Sequence, residues 1–428
     1  MSNITAVKAI SFLWIGSLLG AGFAFLTQVV MARTLGATDF GIFSSALAAV
    51  TLLIPLAGFG VAPFWLKAFG EEGWGARRWW RGSFRFIGAS TSLVILALAA
   101  WGFWGPHDER MSLVVLMLLF YVLGQLALEL VGSRFQLEER YIALALWQFL
   151  PHFARLIFVV IAWVAFSSAF NLYDAALIYS SVSVMLFLIG LYFLLRMYRG
   201  DFQLKGHGAP AASAELKTPS IVRVGQESWP FGTAGVFYLL YFQSAVILLN
   251  YLSGPEAAGN YNVAFVVMAA VYLFPSVVYQ KFLLPKIHRW ANSDPDLLTE
   301  SYNRGNIYML MFGVAATLVI WLCSTWSIPL LFGEKFDEAV LVLNVLATAA
   351  PIRFLATSVG AVLVTRDNMR RKVMYMGSVA VFNLAMNTVM IPLHGVIGAA
   401  ITTILSDTLL LILYFFSVRK HVLKGDRS

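Results

Sequence analysis

Charge is what this sequence has least of. Asp, Glu, Lys and Arg make up 12% of its 428 residues and 60% are hydrophobic, whereas soluble domains are about 25% charged. Apolar runs of about 20 residues recur from end to end and leave no segment long enough for a water-soluble domain. An enzyme with its catalytic domain in water is thereby disfavoured. Cysteine is nearly absent: Cys323 alone rules out a disulfide framework, and six scattered histidines make no metal-ligand spacing. No metal and no cofactor are expected. What the chain does have is a net charge of +8, which suits anionic head groups or an anionic substrate. Nucleic acid is not an expected partner of so apolar a chain.

A spanning helix needs about 20 apolar residues, and that ruler finds twelve candidates, with cores at 9–30, 41–66, 84–104, 112–132, 141–164, 175–195, 230–252, 260–284, 306–331, 338–363, 373–392 and 396–417. The first exceeds the apolar region of a signal peptide and no small-residue cleavage site precedes Arg33, so it is read as a helix. Continuous runs such as Leu113 to Leu123 do not fit the alternation of a membrane β-barrel. Of 30 basic residues, 25 fall on one side of this topology, among them Arg77, Arg78, Arg140, Arg199, Arg371 and the 419–427 cluster, against Arg33, Arg110 and Lys335 on the other. Basic residues mark the cytoplasmic side. Both termini are therefore expected in the cytoplasm.

One long hydrophilic stretch divides the spans six and six. The expected organisation is an N-terminal six-helix lobe over 1–197, a cytoplasmic linker over 198–228, a C-terminal six-helix lobe over 229–418 and a tail over 419–428. A weak echo supports the division. Gly36-Ala-Thr-Asp-Phe-Gly41-Ile-Phe43 resembles Gly254-Pro-Glu-Ala-Ala-Gly259-Asn-Tyr261 at an offset of 218 residues. Six spans is an even number, so the halves share one orientation, the parallel-repeat plan of transporters.

Three segments resemble motifs of the polysaccharide flippases, Wzx-type and O-antigen translocase-like, of the multidrug, oligosaccharidyl-lipid and polysaccharide exporter superfamily. They are Ala32-Arg33-Thr-Leu-Gly36-Ala-Thr-Asp39-Phe40-Gly41-Ile-Phe43, Leu331-Phe332-Gly333-Glu-Lys-Phe336-Asp-Glu-Ala339, and Asn383-Leu-Ala-Met-Asn387 continuing through Ile391-Pro392-Leu-His-Gly395-Val-Ile-Gly398-Ala399-Ala400. The resemblance implies an all-α integral membrane fold of the multidrug-exporter kind, with twelve helices in two lobes. It implies a flippase rather than an enzyme, moving a polyprenyl-diphosphate-linked oligosaccharide to the outer leaflet of a bacterial inner membrane by alternating access, for lipopolysaccharide and O-antigen synthesis. Its partners would be that substrate, membrane lipids, a proton or sodium ion, and other polysaccharide-assembly proteins. The position in the seventh span where many relatives carry a charge is here Gln243.

An ionisable side chain at membrane depth is costly and faces the protein interior or a wet cavity by default. Gln148, His152 and Arg155 stand at i, i+4 and i+7 on one face of the fifth span. Arg155 is roughly 14 residues, about 21 Å, inside that span. Arg353 lies as deep in the tenth, two residues after Pro351. With the diphosphate implied by the resemblance, one arginine from each lobe suits the ligand, because a guanidinium donates paired bonds to phosphate oxygens. The alternative is that each pairs with a carboxylate or caps a helix end. Asp407 in the twelfth span and Glu129, on a face with Tyr121 and Gln125, are the carboxylates available. They either partner the arginines or bind a coupling ion.

Asn383, Asn387 and His394 share another face and either line the sugar path or tie helices together. Arg33 either guides phosphate on release or pairs with Asp39. Tyr238, Tyr241 and Tyr272 lie inside spans, where they can stack on sugar rings, while Trp14, Trp65, Trp79, Trp80, Trp101, Trp104 and Trp290 fall near span ends as interfacial belts do. Two other functions stay open: a multidrug extruder, which would favour cavity carboxylates, and a membrane enzyme of polysaccharide assembly. The latter needs paired carboxylates on an accessible loop, and the outer loops offer only Asp108/Glu109 and Glu334/Asp337/Glu338.

Overall fold

Left-handed backbone at a few residues interrupts an otherwise helical chain. A computed structural model describes residues 3–166, 169–205, 217–283, 287, 290, 295–363 and 368–422, and no strand occurs among them. Residues 206–216 of the expected linker, 423–428 of the tail, and Lys286, Arg289 and Arg366 lie outside the described residues. The helices are α1 (Asn3–Gly58), α2 (Val61–Glu72), α3 (Trp79–Trp104), α4 (Glu109–Met117), α5 (Leu119–Leu137), α6 (Tyr141–Phe166), α7 (Leu172–Tyr198) and α8 (Ile221–Leu252). They continue with α9 (Pro255–Ser276), α10 (Pro295–Phe332), α11 (Asp337–Ala347), α12 (Ala350–Val362) and α13 (Asn368–His421). Asp108 caps α4 through the Met111 amide and Asn171 closes a capping box on α7, placing both starts as the helix-cap rules require.

Eight stretches are long and apolar enough to cross a membrane, nine if Glu334–Ala347 and Ala350–Val362, bent by 46°, count as one. The twelve spans read from the sequence differ from that number chiefly at glycines. The stretch Trp14–Trp104 covers the first three of them and Met369–His421 the last two, and inside these stretches Gly36 (φ 76°) and Gly395 (φ 56°) leave the helical conformation. Large apolar side chains such as Leu96, Val164 and Phe416 are exposed. In α6 only 22% of the most apolar window is buried within the protein. A helical surface of this kind is stable only against lipid, where every backbone group must be bonded internally. The chain is a multi-pass, all-α membrane protein.

The fold divides into two compact units: Met1–Thr34 with Ala46–Val236, and Leu35–Ser45 with Phe237–Ser428. In the first, α5 and α7 pack in parallel register through small residues. A Cβ on Gly124 would stand 2.6 Å from the Ser183 Cβ, and one on Gly190 would stand 2.7 Å from the Ala127 Cβ. Such close approach is how membrane helices gain van der Waals contact without a hydrophobic driving force. It also brings Tyr121 and Tyr179 together, their ring centroids 6.2 Å apart.

In the second unit, the repeated sequence motif is also a structural pair. Gly36 and Gly254 have nearly the same extended, positive-φ backbone (φ 76°, ψ 175° and φ 93°, ψ 166°), a region that L side chains avoid. The helical turns after them cross at Gly41 and Gly259. A Cβ on Gly41 would lie 1.7 Å from the Pro255 carbonyl oxygen, and one on Gly259 would lie 2.1 Å from the Ala37 carbonyl oxygen. Each glycine thus meets the repeat counterpart of the residue that its own partner meets. One turn on, Asn262 donates to Ser44 at 2.9 Å across the same offset of 218 residues.

Substituting Gly41 by Ala is expected to destabilise the protein by at least about 1–3 kcal/mol, since backbone cannot retreat as a side chain can. Gly22→Ala, where nothing lies within 4 Å, is expected to leave stability unchanged or slightly raised. Thermal unfolding of the two variants in detergent compares them directly, and equal melting would refute the close crossing.

Candidate functional site

The two deep arginines are compensated in different ways. In the first unit, α6 presents the predicted face unevenly: Gln148 is exposed, His152 half-buried and Arg155 buried, with 5% of its surface accessible. Pro151 lies inside α6, four residues before Arg155, and its missing N–H leaves the Trp147 carbonyl without a helical donor. Trp147 ties this region to α5 by donating its indole N–H to the Leu128 carbonyl at 3.2 Å. The Arg155 guanidinium sits between two tyrosine rings, 4.9 Å from the Tyr121 centroid and 4.8 Å from that of Tyr179.

Ring faces attract a cation but accept no conventional hydrogen bond comparable to a carboxylate's. Accordingly Nε and Nη2 of Arg155 are buried with no hydrogen-bond partner. No ion pair to Arg155 occurs among the described residues, and Glu129, on α5, is exposed. Arg33, at the end of the first limb of α1, is also exposed.

In the second unit, Arg353 on α12 donates from Nη1 to Oδ1 of Asp407 on α13 at 2.9 Å, with the carboxylate 1% and the guanidinium 16% accessible. The same Oδ1 accepts from the Tyr241 hydroxyl at 2.5 Å. Three rings surround the guanidinium, those of Phe242, Tyr241 and Tyr272 at 4.8, 5.3 and 5.8 Å. These groups line a small cavity that also touches Tyr261 and Thr403, whose hydroxyls lie 3.0 Å apart. Its free space is about that of one water molecule. The Tyr272 hydroxyl is buried there with no partner.

Asn383 and Asn387 are fully buried; the Asn383 amide ties helices together, while Asn387 bonds to Asn383 within α13 and its own Oδ1 has no partner. Ser244 of α8 donates to Asn383 Oδ1 at 3.0 Å, Asn387 Nδ2 donates to the same oxygen at 3.0 Å, and Asn383 Nδ2 donates to Ser406 at 2.9 Å. Ser406 precedes Asp407 in the chain, so this network fixes the backbone that carries the carboxylate. His394 is exposed. Spacing alone did not single out Tyr179, Phe242 or Tyr261. A tyrosine followed by two serines in the apolar run of α7 was the available signal for Tyr179; Phe242 carries none beyond its adjacency to Tyr241, and Tyr261 none beyond its place as the aromatic of the repeat.

Removing one partner of a buried ion pair leaves the other uncompensated, at a cost of about 3–5 kcal/mol. Arg353→Gln is expected to destabilise by that order, and adding Asp407→Asn to recover most of the loss. Arg155→Gln abandons no opposite charge, and the loss of desolvated ring contacts of about 2 kcal/mol is offset by removal of a bare buried charge, so it is expected to destabilise less than Arg353→Gln. A double-mutant cycle on unfolding midpoints measures all three, and a wild-type midpoint for Arg353→Gln would refute the pair's structural role.

Comparison with known proteins places the chain in a family. Residues 6–289 match the model of the polysaccharide biosynthesis protein family. The chain is 23% identical to an uncharacterised membrane protein of Methanocaldococcus jannaschii, over 93% of this chain and 81% of that one. It is also 23% identical to a probable low-salt glycan biosynthesis flippase of Haloferax volcanii, over 92% and 79%. In fold it is similar to the lipid II flippase MurJ in an inward closed conformation (TM-score 0.72, 12% identity, 95% of this chain and 87% of that one). An inward-facing multidrug resistance transporter of the MATE family is similar as well (TM-score 0.67, 14% identity, 98% and 100%). With the match covering well over half of its length, the chain belongs to the polysaccharide biosynthesis protein family.

Proposed function

We propose that this protein is a flippase that moves a polyprenyl-diphosphate-linked oligosaccharide from the cytoplasmic to the outer leaflet of the cytoplasmic membrane by alternating access. The observation that carries the reading is Arg155: a buried guanidinium held between two tyrosines with two of its nitrogens unpartnered. Burying such a group without a counter-charge is costly, and a phosphate oxygen supplies both the charge and the acceptors. The family, and the glycan flippase among its relatives, support the same substrate class.

In this reading Arg155 binds phosphate with His152 beside it, and Gln148, exposed on the same face, meets the sugar. Arg353 is the second phosphate ligand. Arg33 meets the substrate on release, and Asn383, with Asn387 bonded to it, holds the second unit's helices rather than the sugar. The six-helix lobes are 1–197 and 229–418, joined by a cytoplasmic linker over 198–228, with both termini in the cytoplasm. A drug-extruding alternative needs a carboxylate free to meet a cation, and the deepest one, Asp407, is bound by Arg353 and Tyr241. We assign ion coupling to Asp407, which opens to a proton or sodium ion only once Arg353 leaves it for phosphate, with Glu129 as the second candidate.

Losing charge-assisted hydrogen bonds of about 1.5–3 kcal/mol slows a step roughly 10- to 100-fold. Arg155→Gln, reconstituted at wild-type levels in vesicles, is expected to flip a fluorescent polyprenyl-diphosphate sugar slower by that factor, with Arg155→Lys between the two. Full activity of Arg155→Gln would overturn the assignment. Collapse of the proton and sodium gradients is expected to slow the wild type and to have no effect on Asp407→Asn; equal sensitivity in both removes Asp407 from coupling.

A further inference from the structure

The asymmetry between the two arginines has a functional meaning. We propose that Asp407 is a displaceable internal counter-ion, occupying the Arg353 guanidinium in the unloaded protein until a phosphate oxygen of the substrate takes its place. The inference rests on the flippase reading and adds to it a residue that sets which head groups are admitted.

Four features of the second unit carry it. The pair is joined through a single atom contact, Nη1 to Oδ1 at 2.9 Å, whereas an arginine built for a permanent carboxylate partner is often held by two parallel bonds. The guanidinium is more accessible than the carboxylate, 16% against 1%, so an incoming group meets the arginine first. Asp407 keeps a donor when Arg353 leaves, because Tyr241 already bonds Oδ1, and the unpartnered Tyr272 hydroxyl lines the same cavity as a second donor. The two partners also differ in support. Asp407 follows Ser406, which the Asn383 network fixes, while Arg353 lies in the first turn of α12, two residues after Pro351, beside the 46° bend from α11.

Exchange of one anion for another leaves Arg353 compensated throughout, and Asp407 keeps the Tyr241 bond and takes up a proton as the arginine leaves, so that neither group stays a bare buried charge. A phosphate competes well because its tetrahedral oxygens satisfy the guanidinium fork bidentately. A neutral or cationic molecule cannot displace the carboxylate at all. Asp407 therefore lowers the apparent affinity for the correct substrate by the fraction of time it holds the arginine, and in return rejects ligands without phosphate.

Binding of farnesyl diphosphate to the full chain in nanodiscs, measured by calorimetry, tests this. Asp407→Asn is expected to bind roughly tenfold tighter than wild type, because the resident competitor is gone. Arg353→Gln is expected to bind more weakly, and the double variant no better than Arg353→Gln alone. Inorganic diphosphate is expected to show the same order at lower affinity; tightening for farnesyl diphosphate alone would place the gain away from phosphate and overturn the exchange. Tyr272→Phe provides a test that does not depend on folding of the charge variants: its hydroxyl bonds to nothing in the unloaded state, so melting is expected to be unchanged while affinity drops severalfold. Asp407→Asn binding no tighter than wild type, in protein that melts cooperatively, or Tyr272→Phe binding as wild type, overturns the counter-ion and leaves the flippase reading intact. Absence of binding by the wild type overturns both.

Discussion

A guanidinium held away from water must be compensated, and much of the interior of this protein is arranged around two of them. The options in a low-dielectric setting are few: an opposite charge, a set of hydrogen-bond acceptors, or the negative faces of aromatic rings. Arg353 has a carboxylate and three rings, and Arg155 has two rings. Rings are the weakest of these options. A cation compensated only by them retains the capacity to take an anion, whereas one already paired must give something up first. Seen this way, the tyrosines are as much a part of the sites as the arginines. They hold a charge in place without satisfying it.

What permits the cages is helix packing through small residues. Gly124 and Gly190 let α5 and α7 approach until Tyr121 and Tyr179 share one cation. In the second unit Gly41 and Gly259 bring two helical turns to backbone contact, leaving the aromatic that follows each, Phe43 and Tyr261, fully buried. Tyr261 then reaches Thr403 at the cavity wall. Close backbone approach and aromatic placement are one device, because a helix pair separated by larger side chains would not position the ring that follows the glycine.

Much of this was legible in the sequence, for physical reasons. Membrane spans are long apolar runs that need no tertiary context to be seen, and the scarcity of charge makes each deep ionisable residue conspicuous. Arg155, Arg353 and Asp407 therefore stand out from the chain alone. The partner of each does not: that Asp407 meets Arg353 while Arg155 has no carboxylate depends on which helices adjoin, and no spacing rule extends across 54 residues. The i, i+4, i+7 face of α6 was visible, yet Gln148 at one end is exposed and Arg155 at the other is buried, because a face defined on a cylinder does not say where a neighbouring helix ends. The segment Leu35–Ser45 is the sharpest case. Contiguity assigns it to the N-terminal half, but its packing on α9 through Gly41 and Ser44 groups it with the second unit.

The asparagine network shows why polar groups in such a protein are not all candidates for the substrate. Asn383 uses its amide on Ser406 and its carbonyl oxygen on both Ser244 and Asn387, so breaking it to admit a sugar hydroxyl would strip three buried bonds for each one gained. Arg155 is the opposite case, with donors present and acceptors missing. The useful distinction within a membrane interior is thus not polar against apolar but satisfied against unsatisfied. By that measure the framework around Asn383 is satisfied and stiff, and its rigidity on the carboxylate-bearing helix lets a single ionic contact at Arg353 be exchanged without loosening the rest.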